Sequence, residues 1–173
     1  MNEINSLKNA EYWIEKLRLQ QHIEGGYFTE IYRSKNTIKK ENLPNSYNSD
    51  RCFLTSIYYL LKSGQKSLFH KIKSDEIWHF FAGSPLKLLS IYPNNEFHTF
   101  ILGNDFEKNE IFQVGIPANS WIAATPIFDN SYSLVGCTVA PGFEFSDLEI
   151  ANRDFMLKNY PHLYDLIIIF SNE

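Results

Sequence analysis

The sequence predicts an all-β fold, a sandwich or barrel with a few short flanking helices. Three observations predict it. Short apolar runs recur at roughly ten-residue spacing, separated by polar turns. Aromatic residues reach 16%, and fourteen Phe, ten Tyr and three Trp suit strands and aromatic-lined pockets better than helix bundles. No strand–helix–strand rhythm appears, which argues against a parallel sheet. The 173 residues fit one domain, 1–173, large enough for a real core.

Taken in order, Asn9 is placed to cap a short helix, with Glu11 in its first turn and Trp13, Ile14 and Leu17 at helical spacing. Gly25-Gly26 ends that segment. Tyr27 to Arg33 alternates Tyr27, Thr29, Ile31 and Arg33 against Phe28, Glu30 and Tyr32, a strand with polar groups on both faces. Ser34 to Asp50 is polar and rich in Asn, Lys and Ser, and reads as a long surface loop with the character of a lid. Arg51 to Leu61 reads as one long strand, apolar on both faces. Such a strand belongs in a sandwich or barrel, or at a subunit interface, so a homodimer is expected.

Two β-patterned runs then meet around a polar break at Lys73-Ser74-Asp75. Leu68 to Ile72 carries His70, and Glu76 to Phe81 alternates Glu76, Trp78 and Phe80 against Ile77, His79 and Phe81. Leu86 to Tyr92 ends at the turn Pro93-Asn94-Asn95, and Phe97 to Leu102 returns. Glu110 to Gly115, Ser120 to Ala124 and Ser131 to Val139 complete the series before Pro141-Gly142. Ser146 with Glu149 three residues on has the form of a capping box, opening a helix that runs to about Tyr160. Leu163, Leu166, Ile167 and Phe170 fit a short final helix, although Leu166 to Phe170 alone also fits a strand.

Charge and cysteine usage exclude several classes. The formal net charge is −4, and the basic cluster Lys35, Lys39 and Lys40 falls in the loop, so nucleic acid is not an expected partner. Cys52 and Cys137 lie far apart in apolar runs, which suits buried free thiols rather than a disulfide framework or a zinc site. The N-terminal residues have no apolar targeting core, and Leu166 to Phe170 is far too short to cross a bilayer. A soluble cytoplasmic protein without membrane contact is the expectation.

The chemistry points to residues 67–83. By alternation Glu76 shares an aromatic strand face with Trp78 and Phe80, and a carboxylate there is costly unless it has a partner or water. His70 precedes it by six residues. A buried carboxylate beside an imidazole forms an acid–base pair whose two pKa values lie open to tuning near neutral pH. The same two groups can also satisfy each other without turnover. Trp78 and Trp121 suit either pocket walls or core. Arg33 could clamp an anionic group with its planar fork, or be tied to Glu24 or Glu30. Tyr27 and Glu30 follow a Gly-Gly pair that lets the backbone pass close to a pocket.

These residues carry a resemblance. Glu76 followed by Gly83 is similar to the second half of the first cupin motif, with His70 at the first histidine position and Ile72 where the second histidine would stand. Pro117-Ala118-Asn119 resembles the Pro-x-Gly turn of the second motif, with Ile122 at its histidine position. Glu24-Gly25-Gly26-Tyr27-Phe28, Tyr32-Arg33-Ser34, Ser74 to His79, Pro117-Ala118 with Trp121, and Gly136 to Phe143 together resemble the cupin-5 branch. The resemblance implies a jelly-roll barrel, commonly dimeric, with a pocket like those of deoxysugar epimerases and cupin isomerases. It also implies that His70 and Glu76 meet in that pocket. With Ile72 and Ile122 at two ligand positions, no bound metal and no other cofactor are expected. The expected site is therefore catalytic His70 and Glu76, with Tyr27, Glu30, Arg33, Trp78 and Trp121 around a small ligand, a sugar or sugar nucleotide. An epimerase or isomerase, a binding protein without turnover and a structural dimer module all remain open.

Overall fold

The computed structural model describes residues 8–172. Its elements are α1 (Ala10–Lys16), β1 (Gln20–Gln21), β2 (Tyr27–Arg33), β3 (Thr37–Ile38), β4 (Arg51–Cys52), β5 (Thr55–Lys62), β6 (Ser67–Lys71), β7 (Asp75–Gly83), β8 (Leu86–Ile91), β9 (Phe97–Leu102), β10 (Gln113–Ile116), β11 (Trp121–Pro126), β12 (Tyr132–Ala140), β13 (Glu149–Ile150), α2 (Arg153–Asn159) and α3 (Tyr164–Phe170). A six-stranded sheet in the order β1-β2-β5-β12-β7-β10 faces a five-stranded sheet in the order β13-β6-β11-β8-β9, and every pairing is antiparallel. The all-β sandwich expected from the alternating runs, and the jelly roll that the resemblance implies, is the fold observed.

Alternation sorts the apolar side chains into three clusters. Tyr59, Leu61 and Trp78 point inward from one sheet and meet Leu86, Leu88 and Ile122 from the other. On the outer face of the five-stranded sheet, Phe69, Leu89, Ile91 and Trp121 are covered by Met156 of α2 and by Ile167 and Phe170 of α3. On the outer face of the six-stranded sheet, Leu60 and Leu134 are covered by Ala10, Trp13 and Ile14 of α1. Burying each of these larger side chains contributes about 1.5–3 kcal/mol.

This arrangement revises three local readings. Arg51 to Leu61 is two strands, and Leu60 on the outer side of β5 is covered by the chain's own α1, so that strand does not by itself call for a partner. Ser34 to Asp50 is not a solvated lid. It contains β3, and its Leu43 and Tyr47 are buried. Tyr47 donates its hydroxyl to the Lys73 carbonyl at 2.9 Å. Arg51 makes a bidentate pair to Asp147, both bonds 2.6 Å, with both side chains almost fully buried. Finally, Ser146 and Glu149 do not form a capping box. Asp147 is held by Arg51, Glu149 and Ile150 pair with Lys71 and His70 as β13, and the helix begins later, at Asn152, whose side chain accepts from the Phe155 N–H. Asn9 does cap α1, accepting from the Tyr12 N–H, and the last apolar run is helical.

Candidate functional site

One cavity of about 80 Å³ lies between the sheets. A water needs roughly 10–15 Å³ of such space, so it accommodates roughly five to eight water-sized groups. His70 and Ile72 line it from the five-stranded side, and Glu76, Trp78 and Tyr59 from the six-stranded side. Strands β6 and β7 are not neighbours. Their inward faces oppose each other across the interior, so His70 and Glu76 meet from opposite walls of one cavity.

Local sequence explains each placement. In β7, Glu76 and Trp78 pair with Val139 and Cys137 of β12, whose side chains also face inward. His79 lies on the other face of β7, opposite Gly136 and Gln113. In β2, a bulge at Ile31 shifts the register between Glu30 and Tyr32. Strict alternation would set Arg33 on the face opposite Glu30, but the bulge returns it to the cavity side. Gly25 and Gly26 have φ of 112° and 71°, and a Cβ on Gly25 would collide with the Lys66 carbonyl. That tight turn brings Glu24 in from the side.

The site is richer in titratable groups than the sequence reading held. Glu24 and His22 also line the cavity. Glu24 Oε2 lies 3.4 Å from His70 Nε2 and accepts from the Ser67 hydroxyl at 3.1 Å. Glu24 Oε1 lies 3.7 Å from His22 Nδ1, which in turn faces the Glu24 N–H at 3.3 Å. The signal that could have exposed Glu24 was its place before the Gly-Gly pair. His22 carried no comparable signal.

The electrostatics follow from burial. Glu76 is 7% exposed, and among the described residues its Oε2 and the nearby Trp78 Nε1 meet no partner in good hydrogen-bond geometry. Desolvation, tempered by the facing His70, pushes the Glu76 carboxyl up to about 7. Desolvation likewise pushes Glu24 up to about 6. Burial lowers His70 and His22 below the ordinary histidine value. His70 Nδ1 lies 2.8 Å from the Leu68 carbonyl, which can only accept, so the Nδ1 bears the proton and the neutral ring has its lone pair on Nε2.

The other expected ligand contacts divide. Trp78, Glu30 and Arg33 line the cavity, the last two toward a rim that includes Phe143 and Phe145. Arg33 is not free: it donates to both Glu30 oxygens at 3.1 and 2.8 Å and to Glu144 at 2.7 Å. Tyr27 and Trp121 lie elsewhere. Tyr27 packs beside Leu60 and Leu134 on the outer side, under the Lys62 ammonium, because it is one residue out of phase with Phe28. Trp121 packs against the C-terminal helices with Lys71 4.4 Å over its ring. Ile72 lines the cavity and Ile122 fills the inner core, so the cupin metal positions hold hydrocarbon. Among the described residues no group of three or more His, Cys, Asp or Glu is arranged to hold a metal ion. This donor set does not fit the metal that cupins commonly carry.

A family profile described as Cupin_5, cupin superfamily (DUF985), matches residues 11–151. An uncharacterized Saccharomyces cerevisiae protein is 31% identical over 156 residues, covering 84% of this chain and 77% of its own. A hypothetical protein from Leishmania major superposes with a TM-score of 0.86 at 30% identity, covering 95% of this chain and 99% of that one. A Shewanella oneidensis protein does so with a TM-score of 0.86 at 34% identity, covering 96% and 99%. Oxalate decarboxylase from Bacillus subtilis shares the fold alone, with a TM-score of 0.53 at 14% identity over 87% of this chain and 36% of its own.

Proposed function

The chain belongs to the Cupin_5 family of the cupin superfamily, and from that premise we propose that its cavity binds a small, sugar-like polar molecule and moves a proton on it without a metal. The observation that carries this reading is the opposition of a neutral His70 and a raised-pKa Glu76 on facing walls of one cavity. Epimerisation or isomerisation next to a carbonyl needs a base at carbon and an acid at oxygen in the same instant. His70 Nε2 takes the proton from carbon. The C–H electron pair moves into the carbon–carbon bond, and the Glu76 proton goes to the carbonyl oxygen. Return of the His70 proton to the adjacent carbon on the same face, with Glu76 taking the proton of the neighbouring hydroxyl, completes an isomerisation and resets both groups; epimerisation takes its proton from a second acid on the opposite face of the ligand. No oxidant, reductant or leaving group is required. A cavity of this size suits a short hydroxy-carbonyl compound rather than a nucleotide, and the Arg33 guanidinium at its rim is already shared by two carboxylates rather than open to a phosphate.

A second reading, binding without turnover, is favoured by one contact: the Glu24 carboxyl 3.4 Å from His70 Nε2 can occupy the lone pair. His70→Ala separates the readings. For the enzyme, isomerisation of small hydroxy-carbonyl compounds falls by ~10²–10⁴ with little change in melting temperature. For the binding protein, affinity weakens with no rate to lose. A loss of stability of roughly 1–3 kcal/mol, with no effect on any ligand, would mark a core pair and overturn both.

A further inference from the structure

We infer that the cavity selects a small organic ammonium ion, held against Glu24 and among the aromatic side chains of Phe28, Tyr59 and Trp78, over a neutral molecule or an anion of the same shape. The inference rests on reading the cavity as a ligand site and adds the charge of the ligand.

The lining is lopsided in charge. Glu24, Glu30 and Glu76 face the cavity, and the cation among its lining residues is Arg33. That guanidinium is already bound by Glu30 and Glu144 at the rim, which leaves the two inner carboxylates without a counterion. Both are 7% exposed. Glu24 has one side-chain donor, Ser67, and faces His22 and His70. Among the described residues no donor reaches Glu76 Oε2 in good hydrogen-bond geometry; the Trp78 N–H and the Cys137 thiol lie near the carboxyl. A buried carboxylate oxygen without a donor is costly, and a ligand that brings N–H groups or positive charge relieves that cost. A cleft lined by one sign of charge inside low-dielectric walls concentrates the opposite sign. The walls add the aromatic rings of Phe28, Tyr59 and Trp78, whose π-systems attract a cation placed over them. An anion meets like charge and no free donor cation. Both inner carboxyls are raised by burial and both ionise below pH 8, so the ammonium meets negative charge on each, with Glu24 the one that Ser67 and the two histidines hold in place.

The test uses the whole chain and two isosteric probes of five heavy atoms, tetramethylammonium chloride and tert-butanol, titrated by calorimetry at low salt. At about pH 8 tetramethylammonium is expected to bind at least about tenfold tighter than tert-butanol, and sodium acetate not at all. At about pH 5 the preference is expected to vanish. Glu24 and Glu76 then gain protons, and His22 and His70 move toward the cation, while Arg33, Tyr59 and Cys137 keep their charge states. Glu24→Gln is expected to weaken the preference at pH 8, leaving only what Glu76 supplies, and an unchanged preference would overturn the assignment to Glu24; should that variant not fold, the pH comparison on the unmodified chain decides. Equal binding of both probes at pH 8 would overturn the charge inference and leave the cavity reading intact. Failure of every probe to bind or to raise the melting temperature would overturn both.

Discussion

Replacing Glu76 by Gln should make this protein more stable at high pH and less able to react. Gln keeps the shape of the side chain and removes the ability to ionise inside the barrel. The folded protein holds the Glu76 carboxyl at about 7 against an ordinary 4.5. At about 1.4 kcal/mol per pH unit, that gap amounts to about 3 kcal/mol of stability present below pH 4.5 and lost as the pH rises through 7. Glu24, held at about 6, adds a smaller loss of the same sign. His70 and His22 act oppositely: their lowered values make stability increase with pH up to about 6.5. Above that pH the Glu76 contribution stands nearly alone. Glu76→Gln is therefore expected to gain up to about 3 kcal/mol at pH 8, about 6–12 °C in melting temperature for a chain of this size, and little at pH 4.5. Chemical denaturation of both proteins across that range measures it. A variant no more stable than the parent at pH 8, or equally stabilised at both ends, would refute the claim that burial holds the Glu76 carboxyl above its ordinary value.

Arg51→Met is expected to cost about 3–5 kcal/mol, because it strands Asp147 in the interior with Lys73 at 3.3 Å as its remaining cation among the described residues, and to raise hydrogen exchange across residues 34–50. Elemental analysis of the purified chain is expected to find no stoichiometric transition metal; one equivalent bound through His70 would contradict the metal-free chemistry. Light scattering is expected to report a homodimer through the outer face of the six-stranded sheet, where Phe81 is 50% and Ile77 42% exposed beside the flat Gly136. Phe81→Lys should shift it toward monomer, and a parent chain already monomeric at micromolar concentration would count against that face.

The strands were legible because their alternation is strict. The face shared by Glu76 and Trp78 follows from a period of two and needs no further information. What alternation cannot see is an extra residue: the bulge at Ile31 moved Arg33 to the cavity side. Nor can it see which chemically ambiguous aromatics end inside. Tyr27 and Trp121 are no less amphipathic than Trp78, and only the phase of β2 and the packing of α2 and α3 decide against them. Glu24 was hidden for another reason. It reaches the cavity from a glycine turn outside any periodic run, and its contact with His70 spans 46 positions of sequence. Arg51 and Asp147, 96 residues apart, defeated the reading of residues 34–50 as a lid in the same way.

The central claim, that His70 removes a proton from a ligand inside this cavity, is tested most directly by solvent exchange. The protein is incubated in D2O with α-hydroxy and α-ammonium carbonyl compounds of roughly three to five carbons, a size matched to the cavity. Proton NMR follows deuterium appearing at carbon. The expected result is exchange above the protein-free rate with at least one compound, slowed by ~10²–10⁴ in His70→Ala while its melting temperature holds. No exchange with any of them, or exchange that His70→Ala leaves unchanged, would contradict it.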